Sequence, residues 1–202
     1  MPATPAHPPA HPDPSHLPSA ATQGADGGSR PETGEGRARQ VRTIFSEIAP
    51  RYDLLNHLLS LNVDRAWRRR AVDAIGPDLP RTQARVLDAC AGTYDLSLEL
   101  VGRPWFEGSV VALDFAEPML AAGQAKLEGS PVHPTCADGL WMPFPDGTFH
   151  AAMVAFGVRN LSDLDRGFGE LFRVLRPGGR LAILEFTTPP SSVMRRLYLF
   201  YF

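Results

Sequence analysis

From residue 85 onward, short apolar runs alternate with stretches in which apolar positions recur every three or four residues. Residues 85–89, 109–113, 132–136, 149–156 and 180–186 are too short for helices and rich in Val, Leu, Ile, Phe and Ala, so they are predicted to be strands. Residues 95–101, 118–127 and 162–175 are predicted to be helices between them. Pro118 suits a first helical turn, and Leu161, Leu164, Phe168, Leu171, Phe172 and Leu175 fall along one stripe of the last helix. Pro177-Gly178-Gly179 then turns the chain into the fifth strand.

Upstream the period is helical throughout. Val41, Ile44, Phe45 and Ile48 share one face of a helix that Pro50 ends, and a second apolar piece runs from Tyr52 to Ser60. Asp64 suits the N-cap of a third helix reaching Ile75, with Gly76-Pro77 as its stop. Residues 1–36 hold eight prolines with no apolar period, so they are expected to form a disordered tail. The expected organisation is this tail, a helical lid over 37–80, and an α/β core over 85–186. Strands alternating with helices imply a Rossmann-like, doubly wound and mostly parallel sheet with helices on both faces. Ligands collect at the carboxyl ends of such strands.

Those ends carry the polar residues. Asp88, Gly92 and Thr93 follow the first strand, Asp114 the second, Asp138 and Gly139 the third, Arg159 and Asn160 the fourth, and Glu185 lies in the fifth. Small residues at 89–92 let a ligand approach the backbone, and an acid about 20 residues on can take two ribose hydroxyls. Asp114 stands at that distance from Gly92. The full G-x-G-x-x-G pattern is absent, and Tyr94 would obstruct a pyrophosphate. A ligand with a ribose and a small zwitterionic tail, such as S-adenosylmethionine, fits better; a nicotinamide or flavin nucleotide is the alternative. Tyr94 is tolerable there only at negative φ, in the first helical turn with its ring turned away.

Charge and composition narrow the class. A formal net charge of −2 argues against a general nucleic-acid binder. No basic, apolar leader and no run of 18 apolar residues occurs, which points to a cytoplasmic protein. Cys90 and Cys136 lack metal-ligand spacing and read as buried free thiols; His7, His11 and His16 lie in the tail and read as solvated, so no metal is expected.

Several separate motifs resemble the ubiquinone/menaquinone biosynthesis C-methyltransferases, from about Val41 to the last residue. They are Tyr52-Asp53-Leu54-Leu55-Asn56 with Trp67-Arg68, the Val86-Leu87-Asp88 loop, Met142-Pro143-Phe144-Pro145-Asp146-Gly147-Thr148-Phe149, Phe156-Gly157-Val158-Arg159-Asn160, Arg173-Val174-Leu175-Arg176-Pro177-Gly178-Gly179, and Leu184-Glu185-Phe186. Phe-Gly-x-Arg-Asn with Tyr-Asp-x-x-Asn is the most specific pair. The resemblance implies methylation of a ring carbon of a prenylated hydroquinone by S-adenosyl-L-methionine, in the step from demethylmenaquinol to menaquinol. A ubiquinone precursor, another small lipid, or a non-catalytic cofactor-binding role are the alternatives. Thr93 would lie against the methionine part, Asp114 would hold the ribose, and Asp138 with Gly139 would flank the adenine; Asp88 and Gly92 complete the loop. Ala91 and Tyr94 depart from the family loop. The chain stops at Leu197-Tyr198-Leu199-Phe200-Tyr201-Phe202 where the family continues, so two C-terminal strands are expected to be missing and the sheet edge bare.

On the chemistry, Arg159 is expected to stabilise the ionised quinol and Asn160 to orient its oxygen, with Tyr52 and Asp53 closing the lid. Expected partners are the prenylated quinol and, peripherally, the inner face of the cell membrane. Arg65, Arg68, Arg69 and Arg70 would border the leucines 54, 55, 58, 59 and 61 on such a surface. A homo-oligomer is compatible with the sequence, and nucleic acid is not expected.

Overall fold

A computed structural model describes residues 63–186. The tail, the first two lid helices, Tyr52, Asp53 and the terminal aromatic run lie outside the described residues. Helix α1 (Val63–Ile75) opens the described part. Asp64, Arg68, Val72 and Ile75 recur on one face and are buried there, where α1 packs on the helix that follows the first strand and on the fifth strand. Asp64 is therefore not the N-cap: it sits inside the first turn and pairs with Arg68 one turn on. Arg68 likewise points inward, so the four arginines do not share one surface.

Five parallel strands follow: β1 (Ala84–Ala89), β2 (Gly108–Asp114), β3 (Val132–Cys136), β4 (Phe149–Ala155) and β5 (Leu175–Leu184). Their order is β3-β2-β1-β4-β5, so the chain reverses direction across the sheet between β1 and β4, where a crevice opens at the carboxyl ends. Helices α2 (Asp95–Val101) and α3 (Glu117–Gly123) follow β1 and β2, and α4 (Leu164–Val174) joins β4 to β5. Alternate residues of the central strands fill two apolar layers. Val86, Val110, Ala151 and Met153 pack with Val72, Ile75, Leu96 and Leu100 on one side, while Leu87, Leu113, Ala152 and Val154 pack with Leu171 and Val174 on the other. Each Val, Leu, Ile or Met side chain among them is worth about 1.5–3 kcal/mol when fully buried.

The structure shifts several predicted boundaries. The helix expected over 118–127 stops at Gly123, a poor helix former, and tightens into a 3-10 turn over Gln124–Leu127. Helix α4 starts at Leu164 because Asp163 caps it, its carboxylate accepting the Arg166 N–H. Its buried face is Gly167, Leu171 and Val174, so Leu164, Phe168 and Phe172 of the predicted stripe are exposed. Strand β4 ends before Phe156, which turns to φ +55°. Pro177-Gly178-Gly179 forms an outward excursion within β5 between Leu175 and Arg180, and Glu185 lies just past that strand rather than in it. Cys136 is exposed on the edge strand β3, not buried as expected.

Candidate functional site

At the carboxyl end of β1 the chain makes a cramped loop in which Cys90, Gly92 and Tyr94 all take positive φ. Tyr94, at φ +71°, contradicts the expectation of a negative φ. Its ring is nevertheless turned away from the loop, fully buried beside α3, and its hydroxyl donates to the Leu120 carbonyl at 2.7 Å. That anchor and the apolar contacts around the ring hold a conformation that costs an ordinary residue on the order of 1 kcal/mol. Burial pushes the Tyr94 phenol up to about 12, with the charge of Asp114 adding to it.

Asp114 at the tip of β2 faces this loop. One carboxylate oxygen accepts the Gly92 N–H at 2.8 Å and the other the Ala116 N–H at 2.9 Å. Burial raises its pKa above the ordinary carboxylate value, while the backbone N–H groups of Ala116, Gly92 and Phe115 oppose the shift. Asp88 is buried beneath the loop and accepts the Ser97 hydroxyl at 2.6 Å. Burial lifts its pKa to about 7; Ser97 and Arg68 pull the other way and Asp114 adds to the rise. Asp138 is exposed and closes its own turn, accepting the Leu140 N–H at 2.9 Å.

Cys90 stands at the centre. Burial, and then the charges of Asp114, Asp88, Glu185 and Asp138, push its thiol far above the usual range. Carboxylates from four strand ends thus lie around one point, Glu185 among them paired with Arg159. Gly157 presses on Cys90 so closely that a Cβ at 157 would stand 2.3 Å from the cysteine Cβ.

The predicted residues gather around three small adjoining hollows. Asp114, Asp138, Gly139 and Asn160 line one of about 70 Å³; Gly92, Asp114 and Asn160 line a second of about 30 Å³; Asp88, Gly92 and Thr93 line a third of about 30 Å³. A wider cleft of about 680 Å³ opens at the amino ends of β1 and β2, between Pro77, Leu79, Trp105 and Phe106, and none of the predicted residues lines it. We place the candidate site at the hollows, because the convergent polar groups lie there. Arg159 lines none of them; its half-exposed guanidinium is paired with Glu185, whose other oxygen meets the Arg159 backbone N–H at 3.4 Å. Tyr52 lies outside the described residues.

Residues 33–202 match the profile of the ubiE/COQ5 methyltransferase family. The chain belongs to that family. It is 52% identical over 162 residues to the demethylmenaquinone methyltransferase of Thermus thermophilus, covering 79% of this chain and 71% of the relative. It is 45% identical over 170 residues to the ubiquinone/menaquinone biosynthesis C-methyltransferase UbiE of Geobacter sulfurreducens, covering 82% and 65%. The chain thus spans about two thirds of the length of these relatives. Among solved structures, phosphoethanolamine N-methyltransferase 1 of Haemonchus contortus, in complex with phosphoethanolamine and S-adenosylhomocysteine, shares the fold, with a TM-score of 0.62 and 20% identity over 79% of this chain and 34% of that one.

Three motifs of the family resemblance meet at the crevice. Phe156 and Phe186 stack with ring centroids 4.7 Å apart, and Trp67 of α1 stands edge-on to both at 6.3 and 5.9 Å. The Arg159 guanidinium lies 5.6 Å from the Phe186 ring centre. The motifs name these aromatics without bringing them together, and Arg68, expected in a surface cluster with Arg65, Arg69 and Arg70, instead lines the third hollow. The spacing Asp64, Arg68, Val72, Ile75 carried the signal, since it puts Arg68 on the apolar face of α1.

Proposed function

We propose that this chain methylates a ring carbon of a prenylated hydroquinone, converting demethylmenaquinol to menaquinol with S-adenosyl-L-methionine as the methyl donor. The observation that carries the reading is the gathering of Asp88, Gly92, Thr93, Asp114, Asp138, Gly139 and Asn160 around adjoining hollows at the carboxyl ends of the strands. A rim of such acceptors beside an approachable backbone suits a ligand with a ribose and a small charged tail. The names of the relatives support the quinol.

In this reading Asp114 takes the ribose hydroxyls, Asp138 and Gly139 flank the adenine, and Asp88, Gly92 and Thr93 receive the methionine end. The bound cofactor supplies a methyl group on a positively charged sulfur. A carbon nucleophile is needed, and the hydroquinone becomes one when a neighbouring hydroxyl ionises. A phenol titrates near 10, so ionisation at neutral pH takes about 4 kcal/mol of stabilisation. Arg159 donates N–H groups to that oxygen and Asn160 orients it. Arg159 and Glu185 work as donor and acceptor together: the guanidinium hydrogen-bonds the ionising oxygen, the carboxylate takes the hydroxyl proton, and the ring hydrogen displaced by the methyl group leaves as a proton to solvent. Trp67, Phe156 and Phe186 offer flat apolar surfaces for the ring.

Incubation of the full chain with methyl-labelled cofactor and short-chain demethylmenaquinol kept reduced tests the reading. Label on the ring carbon is the expected result. Intact S-adenosylhomocysteine binding without transfer to the quinol, or transfer only to a ubiquinone precursor, overturns the substrate assignment.

A further inference from the structure

We propose a second binding site, for a phosphate group, at the amino-end edge of the sheet, where Arg85, His150 and Arg176 converge on a cavity of about 500 Å³. Four neighbouring strands bring it together. Arg85 of β1 stands in register with Ser109 of β2, and its backbone N–H donates to the His150 ring on β4 at 2.9 Å. Arg176 comes from β5, at the start of the outward excursion between Leu175 and Arg180. Thr82 and Ser109 add hydroxyl side chains to the lining, and among the described residues no acidic one lines the cavity. The crevice lies at the other ends of these strands, so the site shares no residue with the three hollows.

The His150 ring calls for an anion. A neutral imidazole has one N–H and one acceptor nitrogen, yet both ring nitrogens face donors: Nδ1 the Arg85 backbone N–H, and Nε2 a terminal nitrogen of Arg176. Burial, and then the charges of Arg176 and Arg85, hold the His150 pKa below its ordinary value, so the ring is neutral at pH 7. With Nδ1 accepting from Arg85, the proton sits on Nε2 and meets a guanidinium that can only donate. An anionic oxygen between the two accepts from both at once. The guanidiniums have charge to offer it. Arg176 Nε donates to the Gly147 carbonyl at 3.2 Å and Arg85 lies 5.9 Å from the Phe149 ring centre, and among the described residues no carboxylate pairs with either. Guanidinium forks match phosphate oxygens. Two of them with a ring N–H, arriving from three strands, suit a tetrahedral dianion better than a planar carboxylate with one charge. The cavity also leaves room for the group that carries the phosphate, whether a soluble compound or a lipid.

Titration calorimetry of the full chain with inorganic pyrophosphate, at ionic strength held constant with potassium chloride, tests the site. Flotation with phosphatidylcholine vesicles, with and without phosphatidic acid, asks in parallel what carries the phosphate. Saturable one-to-one binding of pyrophosphate without flotation assigns the site to a soluble phosphate compound, and flotation only with phosphatidic acid assigns it to a lipid headgroup. In either case Arg85→Gln/Arg176→Gln should weaken binding at least about tenfold, the scale of a lost hydrogen bond to a charged group. Nitrogen-15 spectra of the histidine rings place the ligand. Pyrophosphate, or short-chain phosphatidic acid where only vesicles bind, should move the ring signal that is absent from His150→Gln more than any other. A parent that binds neither pyrophosphate nor phosphatidic acid overturns the proposal, as does binding that the double variant retains or a His150 signal that stays still. If the double variant does not fold, the His150 signal alone decides.

Discussion

Asp114 locks the loop that follows β1, its carboxylate accepting the Gly92 N–H across 22 residues of chain. Removing it strands two N–H groups, those of Gly92 and Ala116, each of which costs roughly 1–3 kcal/mol when buried and unsatisfied. Asp114→Ala is therefore expected to lose about 2 kcal/mol or more of stability and at least tenfold in S-adenosylhomocysteine affinity. Chemical denaturation and calorimetry measure the two; unchanged affinity removes Asp114 from the site.

Asp88 makes stability depend on pH in an unusual direction. Its pKa is about 7 in the folded chain against an ordinary value near 4 in the unfolded one, so between these the folded state holds a proton that the unfolded state has released. The contribution is complete below about pH 4 and is lost as pH rises through about 7, up to about 4 kcal/mol in all. Urea unfolding at pH 5 and pH 8 should find the parent less stable at pH 8 on this account, and Asp88→Asn should flatten the difference. An equal slope in the variant assigns it to other groups.

Tyr94→Phe is expected to cost about 1 kcal/mol, because the Leu120 carbonyl loses its buried donor. Gly123→Ala should cost more, since a Cβ there would stand 2.7 Å from the Tyr94 ring and 2.8 Å from the Thr93 carbonyl oxygen. Thermal melts of both variants test the order.

Arg159→Ala should lower turnover at least tenfold while S-adenosylhomocysteine still binds, as its proposed partner is a charge that develops during reaction. Glu185→Gln should lower turnover too, and the double variant should lose little more than Arg159→Ala alone. Additive losses would mean that the two residues act separately.

The arginines that remain available to an anionic surface are Arg65, Arg69 and Arg70, all exposed on α1. An Arg65/Arg69/Arg70→Gln variant should sediment less with anionic vesicles at low salt than the parent. Equal sedimentation removes α1 from any membrane contact.

The strand and helix alternation was legible in the sequence because buried parallel strands leave short, almost continuous apolar runs. That Asp88, Asp114, Asp138, Gly139 and Asn160 come to one rim was legible for a related reason: parallel strands deliver their carboxyl ends to the same edge. What failed was everything set by contacts between elements. Tyr94 looked like an obstacle because the partner that anchors its hydroxyl, Leu120, lies 26 positions away in the chain. Arg68 looked like surface because arginine usually is. The predicted stripe of α4 included Phe168 and Phe172, since hydrophobicity alone does not say which part of a wide apolar face meets the sheet.

Cys90 and Cys136 sit in different surroundings, one half-buried against Gly157 with carboxylates about it, the other exposed on β3. Burial and the neighbouring carboxylates raise the Cys90 thiol, so an alkylating or oxidising reagent is expected to react first at the exposed Cys136. Chains stored without reductant would become linked through it into covalent pairs, a dimer made by air rather than by assembly, and Cys136→Ser would abolish the pairs and leave the rim untouched.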